Sequence, residues 1–162
     1  MPVAPGLERP AYVVWELTLA CDQPCTHCGS RAGDARPNEL TREEALDVVR
    51  DLAALGAEEV ALIGGEAYLH EAFLDVLGAI HDAGMRATMT TGGRGLSAEL
   101  ARAMAARGAY SVSVSVDGLE ATHDLMRAAR GSFRAATSAL RHLRDAGITI
   151  TAHTNVNRLN KG

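Results

Sequence analysis

The sequence predicts an α/β fold in which parallel strands are joined by helical crossovers. Three observations support this prediction. Short apolar runs alternate with longer segments of helical periodicity, each helical segment ends at a glycine, and the order strand, helix, glycine, strand recurs four times. This alternation is typical of a parallel sheet with helices outside it, and 162 residues suit one domain of ordinary size.

Five strands and four helices follow from these patterns. Thr41 and Glu44 form a capping-box sequence that opens the first helix, which ends at Gly56. The remaining helices are predicted at 71–83, 97–108 and 133–146. The strands are predicted at 12–20, 60–63, 86–91, 110–116 and 148–155.

The predicted strands alternate between apolar and polar residues. In the fourth strand Tyr110 and the valines share one face, and Ser111, Ser113 and Ser115 share the other. A closed barrel normally fills its interior with Val, Ile and Leu, so a polar inner face predicts a cavity occupied by water or a polar ligand. The alternative is that these Ser and Thr residues satisfy β propensity on a solvent-exposed face.

Composition and charge argue against several classes of protein. The formal net charge is -4 and the 16 Lys and Arg residues are scattered, so we expect no nucleic-acid partner. No apolar run approaches the roughly 18 residues of a membrane helix, so we expect no membrane partner. The N-terminus lacks a secretory signal, and the cysteines do not form a disulfide framework, which predicts a cytoplasmic protein.

All three cysteines lie within eight residues, at Cys21, Cys25 and Cys28, directly after the first strand. Active sites of parallel barrels gather at this end of the strands. Three thiolates can bind three corners of a cubane iron–sulfur cluster and leave the fourth iron open to a ligand. The alternatives are a Cys3His zinc site that uses His27 or a distant histidine, and free cysteines.

This Cys-x3-Cys-x2-Cys spacing after the first strand resembles the hallmark of the radical SAM superfamily. The resemblance covers nearly the whole chain after residue 11 and implies a partial (β/α) barrel of the radical SAM type. It also implies a [4Fe–4S] cluster on Cys21, Cys25 and Cys28, with S-adenosylmethionine bound to the open iron. His27 replaces the family's usual aromatic residue before the third cysteine and is expected beside the adenine.

The activity that the resemblance implies is reductive cleavage of S-adenosylmethionine to a 5′-deoxyadenosyl radical, which abstracts hydrogen from a substrate. That substrate would be a small molecule or a peptide, as in peptide-modifying maturases. The electron donor would be a flavodoxin or a ferredoxin. The rival hypotheses are a non-catalytic zinc-binding α/β module and a nucleotide-binding domain, although the latter lacks a Gly-x-Gly-x-x-Gly loop after the first strand.

Motifs at the other strand ends also resemble those of the family. Gly64, Gly65 and Glu66 match a Gly-Gly-Glu motif, which implies that they hold the ammonium group of the methionine moiety; the alternative is a glycine turn with a solvated glutamate. In the sequence Thr90-Thr91-Gly92-Gly93, a glycine stands at 92 where relatives have Asn, so a cofactor contact is expected to be lost or to move to Thr90 or Thr91.

The fourth and fifth strands supply the last candidates. Ser115 and Asp117 resemble a Ser-x-Asp-Gly signature and are expected near the ribose hydroxyls or the methionine carboxylate. Asn155, at the end of the fifth strand, is expected near adenine or ribose. Arg127 belongs to a stretch that is similar to His-Asp-x-x-Arg, and it is either a partner of the cofactor carboxylate or a surface arginine.

The resemblance also defines the expected domain organisation. Residues 1–10 are interpreted as a lead-in and residues 11–162 as a radical SAM core domain. Relatives have six strands, whereas five are predicted here, so the barrel is expected to be truncated after strand five. An open sheet edge at that strand would be a liability.

Overall fold

The computed structural model describes residues 9–161, so the predicted lead-in at 1–10 lies outside the described residues except for its last two. The order of elements is β1 (Tyr12–Thr18), α1 (Arg42–Ala54), β2 (Glu59–Gly64), a short 3-10 helix (Ala67–Leu69), α2 (Phe73–Asp82), β3 (Arg86–Thr91), α3 (Ala98–Ala106), β4 (Ala109–Ser115), α4 (Glu120–Arg127), α5 (Ser132–Asp145) and β5 (Thr149–His153). Within the described residues, no helix is both long enough and apolar enough to cross a bilayer.

The five strands form one parallel sheet in chain order, β1-β2-β3-β4-β5. This arrangement confirms the predicted α/β fold with helical crossovers. Helix α1 packs against α2, α2 against α3, and α3 against α5, so the helices form a continuous outer layer. Leu62, Val112 and Val114 are fully buried between this layer and the sheet. Because all five strands are parallel, their carboxyl ends meet at one edge of the sheet.

The opposite face of the sheet is polar along β3, β4 and β5, as the strand alternation predicts, whereas β2 contributes Ala61 and Ile63 to it. The register places Thr90 of β3 beside Ser113 of β4 and Thr151 of β5, and the first two side chains are half-buried. Tyr110 does not follow the prediction, because the register between β3 and β4 shifts at this residue. Its side chain is 56% exposed, and the Arg86 guanidinium lies 5.8 Å from its ring centre.

The predicted helix boundaries agree with the structure at α1 and at the glycine stops. Thr41 and Glu44 form the capping box, with the Thr41 N–H donating to the Glu44 carboxylate at 2.9 Å. The glycines that follow the four predicted helices have φ values of 79–81°, a conformation that other residues rarely adopt: Gly56, Gly84, Gly108 and Gly147.

Helix α4 was not predicted from the sequence. It has eight residues, and its N-cap residue Leu119 provides no side-chain hydrogen bond, so it carries no capping signal. Hydrogen bonds to a residue in its C-terminal half hold the helix in place instead. The Asp124 carboxylate accepts hydrogen bonds from the N–H groups of Gly131 and Phe133 and from the Ser132 hydroxyl, which joins α4 to α5.

Strands β1 and β5 each end two residues earlier than predicted, because side chains intercept their backbone groups. The Glu39 carboxylate accepts the Leu19 N–H at 2.8 Å, and the Thr18 hydroxyl accepts the Ala20 N–H at 2.9 Å. Beyond β5, the Asn155 N–H donates to the Asp117 carboxylate at 3.0 Å. Both strands therefore turn into loops at the same edge of the sheet.

The end of β2 packs directly against the loop after β1. The Gly65 and Glu66 N–H groups donate to the carbonyl oxygens of Thr18 and Ala20 at 2.8 and 2.7 Å. A Cβ atom on Gly64 would overlap the Thr18 carbonyl oxygen, and one on Gly65 would overlap that of Ala20. Glycine is therefore required here by the approach of two backbone segments.

We expect Gly65→Ala to lower the free energy of unfolding by about 2 kcal/mol or more, because the new methyl group meets backbone that cannot move aside. Gly33→Ala is the matched control, since Gly33 has a negative φ and open space around its Cα. Urea unfolding monitored by circular dichroism measures both. Equal stability of the two variants would contradict this account of the β1–β2 contact.

Candidate active site

A cavity of about 310 Å³ opens at the carboxyl ends of the strands. The loop after β1, the β2 and β3 ends, the tip of β4, helix α4 and the chain after β5 all contribute to its wall. Of the eleven residues predicted for the site, ten line this cavity: Cys21, Cys25, His27, Cys28, Gly64, Gly65, Glu66, Thr90, Ser115 and Asn155. Ser115, which alternation assigned to the inner face, thus lines this cavity together with Thr90.

The cysteine loop is held by backbone hydrogen bonds at its base and at its tip. The Cys21 N–H donates to the Gly33 carbonyl at 2.9 Å, and the Gly33 N–H donates to the Leu19 carbonyl at 3.0 Å. At the tip, the Thr26 N–H donates to the Met126 carbonyl of α4 at 3.1 Å. The loop therefore reaches from the end of β1 to α4, and its cysteines lie above the carboxyl ends of the strands.

All three thiols are free and half-buried. Burial raises the pKa of the Cys21 thiol to about 11. Burial also raises the pKa of the Cys25 thiol, and the Arg127 guanidinium, 3.7 Å from its sulfur, opposes that shift. Because metals bind thiolates, metal binding at this loop must release protons.

At least one pair of the three cysteine sulfur atoms lies more than 4.8 Å apart, which is wider than thiolates bound to one zinc ion. Zinc binds thiolates at about 2.3 Å in a tetrahedron, which requires sulfur atoms about 3.8 Å apart. Among residues 9–161, the one set of three potential metal-binding side chains whose ligand atoms all lie within 4.8 Å of one another comprises Cys21, Asp22 and Glu66, not the three cysteines. A cubane cluster binds each thiolate to a different iron atom and therefore suits a wider set of sulfur atoms.

Glu66 is buried in the cavity wall, not solvated as in the alternative interpretation of the Gly-Gly-Glu motif. One carboxylate oxygen accepts the Thr91 hydroxyl, and the other accepts the Gly92 N–H at 2.7 Å. Burial raises the pKa of Glu66 to about 7, although both hydrogen bonds favour the charged form. Glu66 therefore links the end of β2 to the end of β3 and changes its charge near neutral pH.

Asp117 is the predicted site residue that does not line the cavity. It is fully buried behind the wall, where one carboxylate oxygen accepts a hydrogen bond from the Arg127 Nε–H at 2.7 Å and lies 2.7 Å from Arg127 Nη2 in an ion pair. The other oxygen accepts the Asn155 N–H, and His27 lies 3.5 Å from the carboxylate. Asp117 thus positions three residues around the cavity.

Arg127 is not a surface arginine, because its side chain is only 11% exposed and it lines the cavity between Asp117 and Cys25. Its spacing in the His-Asp-x-x-Arg stretch pointed to it, but only the unpredicted helix α4 brings it to the cysteine loop. Gln23 was missed altogether. It is 3% exposed, and its carboxamide occupies the space where a side chain at Gly92 would lie.

The arrangement of a cysteine loop above the strand ends of a parallel sheet agrees with the family comparison. The chain belongs to the radical SAM superfamily, whose family description matches residues 15–160. This membership confirms the resemblance seen in the cysteine spacing.

Two named relatives are similar to most of this chain. It is 31% identical over 154 residues to the Fe-coproporphyrin III synthase of Methanosarcina barkeri, and 32% identical over 165 residues to the mycofactocin maturase MftC of Mycolicibacterium smegmatis. The alignments cover 94% and 96% of this chain but 39% and 41% of those proteins. The chain therefore spans about two fifths of the length of these curated relatives.

Solved structures share the fold at lower identity. Streptococcus suis SuiB bound to S-adenosylmethionine matches with a TM-score of 0.80 and 16% identity, over 91% of this chain and 34% of that one. The parallel sheet with its outer helices is therefore the arrangement found in radical SAM enzymes.

We expect Asp117→Asn to lower the free energy of unfolding by about 3 kcal/mol, because it leaves the Arg127 charge buried without its partner. Asp47→Asn is the matched control, since the Asp47–Arg50 pair is exposed and should contribute less than about 1 kcal/mol. Denaturant unfolding of the metal-free protein measures both losses. Similar small losses would show that Asp117 does not organise the site.

Glu66 predicts a pH dependence of stability. Its folded-state pKa of about 7 lies above the ordinary value of 4.5, so its contribution is fully present below pH 4.5 and is lost as pH rises through 7. The difference between these two pKa values corresponds to about 3 kcal/mol in the free energy of unfolding. Urea unfolding of the metal-free protein from pH 5 to 8 should show this decline in the wild type and a flatter profile in Glu66→Gln; identical profiles would contradict the assignment.

Proposed function

We propose that the chain is the core of a radical SAM enzyme, with a [4Fe–4S] cluster on Cys21, Cys25 and Cys28 and S-adenosylmethionine beside it. The observation that carries this proposal is the loop of three free thiols facing a cavity at the strand ends, in a chain of this family. When bound, these groups would supply a one-electron cleavage that yields methionine and a 5′-deoxyadenosyl radical for hydrogen abstraction.

The wall offers a distinct group for each part of S-adenosylmethionine. Glu66, beside Gly64 and Gly65, would bind the ammonium group, because its carboxylate keeps lone pairs free beyond its two hydrogen bonds. Arg127 would pair with the carboxylate. Ser115 and Thr90 would hydrogen-bond to the ribose side.

The adenine end would lie near His27 and Asn155, which both line the cavity. Both depend on Asp117, which faces the His27 ring and holds the Asn155 backbone. Asp117 would therefore act on the cofactor through these neighbours and not by direct contact. Its role is to keep the binding groups oriented before the cofactor arrives.

The spacing of the sulfur atoms supports a cluster over the zinc-binding alternative. Three thiolates on one zinc ion would have to move closer together, and the loop that carries them is tied to β1 and α4 at both ends. Arg127 adds a positive charge beside Cys25, which favours the thiolate form and an anionic cluster.

The substrate would lie against the polar face of the sheet, below the cavity. Thr88, Ser111 and Ser113 are half-buried on that face and can hydrogen-bond to it. A peptide is one candidate class, because a relative is named a maturase and SuiB has been solved with its precursor peptide SuiA. A small molecule is the other, because a second relative is named a synthase of Fe-coproporphyrin III.

The remaining inferences complete this proposal. Residues 11–162 would belong to one radical SAM core domain without making up the whole of it, and a flavodoxin or ferredoxin would supply the electron. The cytoplasmic location and the lack of nucleic-acid and membrane partners stay predictions.

Anaerobic reconstitution with iron and sulfide tests the proposal. The wild type should become brown, with about four irons per chain and broad absorption near 400 nm, whereas Cys25→Ala should lose most of both. Ser30→Ala, in the exposed part of the same loop, is the matched control. Reduction with S-adenosylmethionine present should release 5′-deoxyadenosine from the wild type. A colourless protein that binds one zinc ion tightly would overturn the proposal.

A further inference from the structure

Gln23 is a buried side chain whose amide N–H donors have no partner among the described residues. It lies between two of the cysteines and is 3% exposed. Among the residues that the structure describes, no atom accepts a hydrogen bond from its buried Nε2. A buried donor without a partner costs about 1–3 kcal/mol, so a loop would not retain one for packing alone.

The carboxamide of Gln23 lies between the end of β3 and the thiols. A Cβ atom on Gly92 would lie 2.7 Å from its Nε2 and 2.9 Å from its Oε1, so the amide rests on the bare backbone of Gly92. Its Oε1 lies 3.8 Å from the Cys25 sulfur, and its backbone carbonyl accepts the Cys21 thiol at 3.4 Å. Gln23 also lines the cavity. The Oε1 atom of the amide and the backbone carbonyl of Gln23 are therefore both in contact with cysteine thiols.

We propose that Gln23 is a positioning residue that donates a hydrogen bond from its carboxamide to a sulfur atom of the cluster. The inference rests on the proposed function. A thiol donates, so Oε1 faces Cys25 in the metal-free protein, whereas a metal-bound thiolate or a sulfide only accepts. Rotation of the amide about its last bond exchanges Oε1 and Nε2, so the same side chain can serve both states.

Such a hydrogen bond would affect the redox chemistry of the cluster. Reduction adds negative charge to the sulfur atoms, so a donor at this position stabilises the reduced state more than the oxidised one. Arg127 approaches Cys25 as well, at 3.7 Å, but Gln23 is a neutral side-chain donor that the loop itself carries. Gln23 would therefore make the cluster easier to reduce.

The composition of the chain permits a direct test in the wild type, because Gln23 is its only glutamine. Cell-free synthesis with side-chain ¹⁵N-glutamine places one labelled amide in the protein. After anaerobic cluster loading and reduction, pulsed electron paramagnetic resonance should detect a ¹⁵N hyperfine coupling from that amide. Absence of the coupling in a protein with a complete cubane overturns the inference and leaves the proposed function intact.

Gln23→Met tests the consequence, because methionine fills the space over Gly92 without an N–H donor. At a fixed potential, its ratio of reduced to oxidised cluster should fall about three- to tenfold, where tenfold corresponds to about 59 mV. Gln23→Glu, measured at a pH at which the new carboxyl is ionised and offers acceptors only, should fall at least as far. A role in packing alone predicts the wild-type ratio in Gln23→Met, and that result would overturn the inference.

The two proposals fail in different ways. If the wild type forms no cubane, the proposed function fails and this inference falls with it. If Gln23→Met does not load, the ¹⁵N coupling in the wild type still decides the question.

Discussion

The buried carboxylate of Asp117 is the contact on which the arrangement of the site depends. It forms an ion pair with Arg127 of α4 and accepts one hydrogen bond from that guanidinium and one from the backbone after β5, and it faces His27 of the cysteine loop. Its own N–H donates to His123, a fully buried imidazole whose pKa is lowered by burial. A single desolvated charge thus joins the β4 end, α4, the β5 exit and the cysteine loop. A buried charge tolerates few alternative geometries, because each unpaired state is costly.

The outer face of the sheet contributes stability, and the inner face leads to the candidate site. The outer face is apolar and closely packed against the helices, with Leu62, Val112 and Val114 at its centre. The inner face carries the half-buried Thr and Ser side chains that lead up to the cavity. The inner face can carry polar residues because burial of the apolar outer face provides the free energy of folding. The close glycine contact between β2 and the loop after β1 then fixes the cysteines above the polar face.

Several parts of the site were predicted from the sequence because they depend on local patterns. The cysteine spacing, the Gly-Gly-Glu turn and the Ser/Thr alternation are each encoded within a few consecutive residues, and the parallel topology brings their strand ends together. The sequence predicted that Glu66 and Asp117 belong to the site, but it did not predict what surrounds them. The sequence does not reveal that Glu66 is buried against Thr91 and Gly92, or that Asp117 lies behind the wall. Burial depends on residues distant in sequence, and so does the direction of a pKa shift.

The sequence by itself determined the α/β class, the glycine helix ends, the thiol loop and its family resemblance, because each follows from periodicity or from fixed spacing along the chain. Only the tertiary structure decided that Arg127 is a buried partner of Asp117 and Cys25, and that Gln23 rests on Gly92. Helix α4 has no capping signal, and its position depends on packing and on the Asp124 hydrogen bonds. Contacts between segments about 70 and 100 residues apart arise when the chain folds, and no local pattern records them.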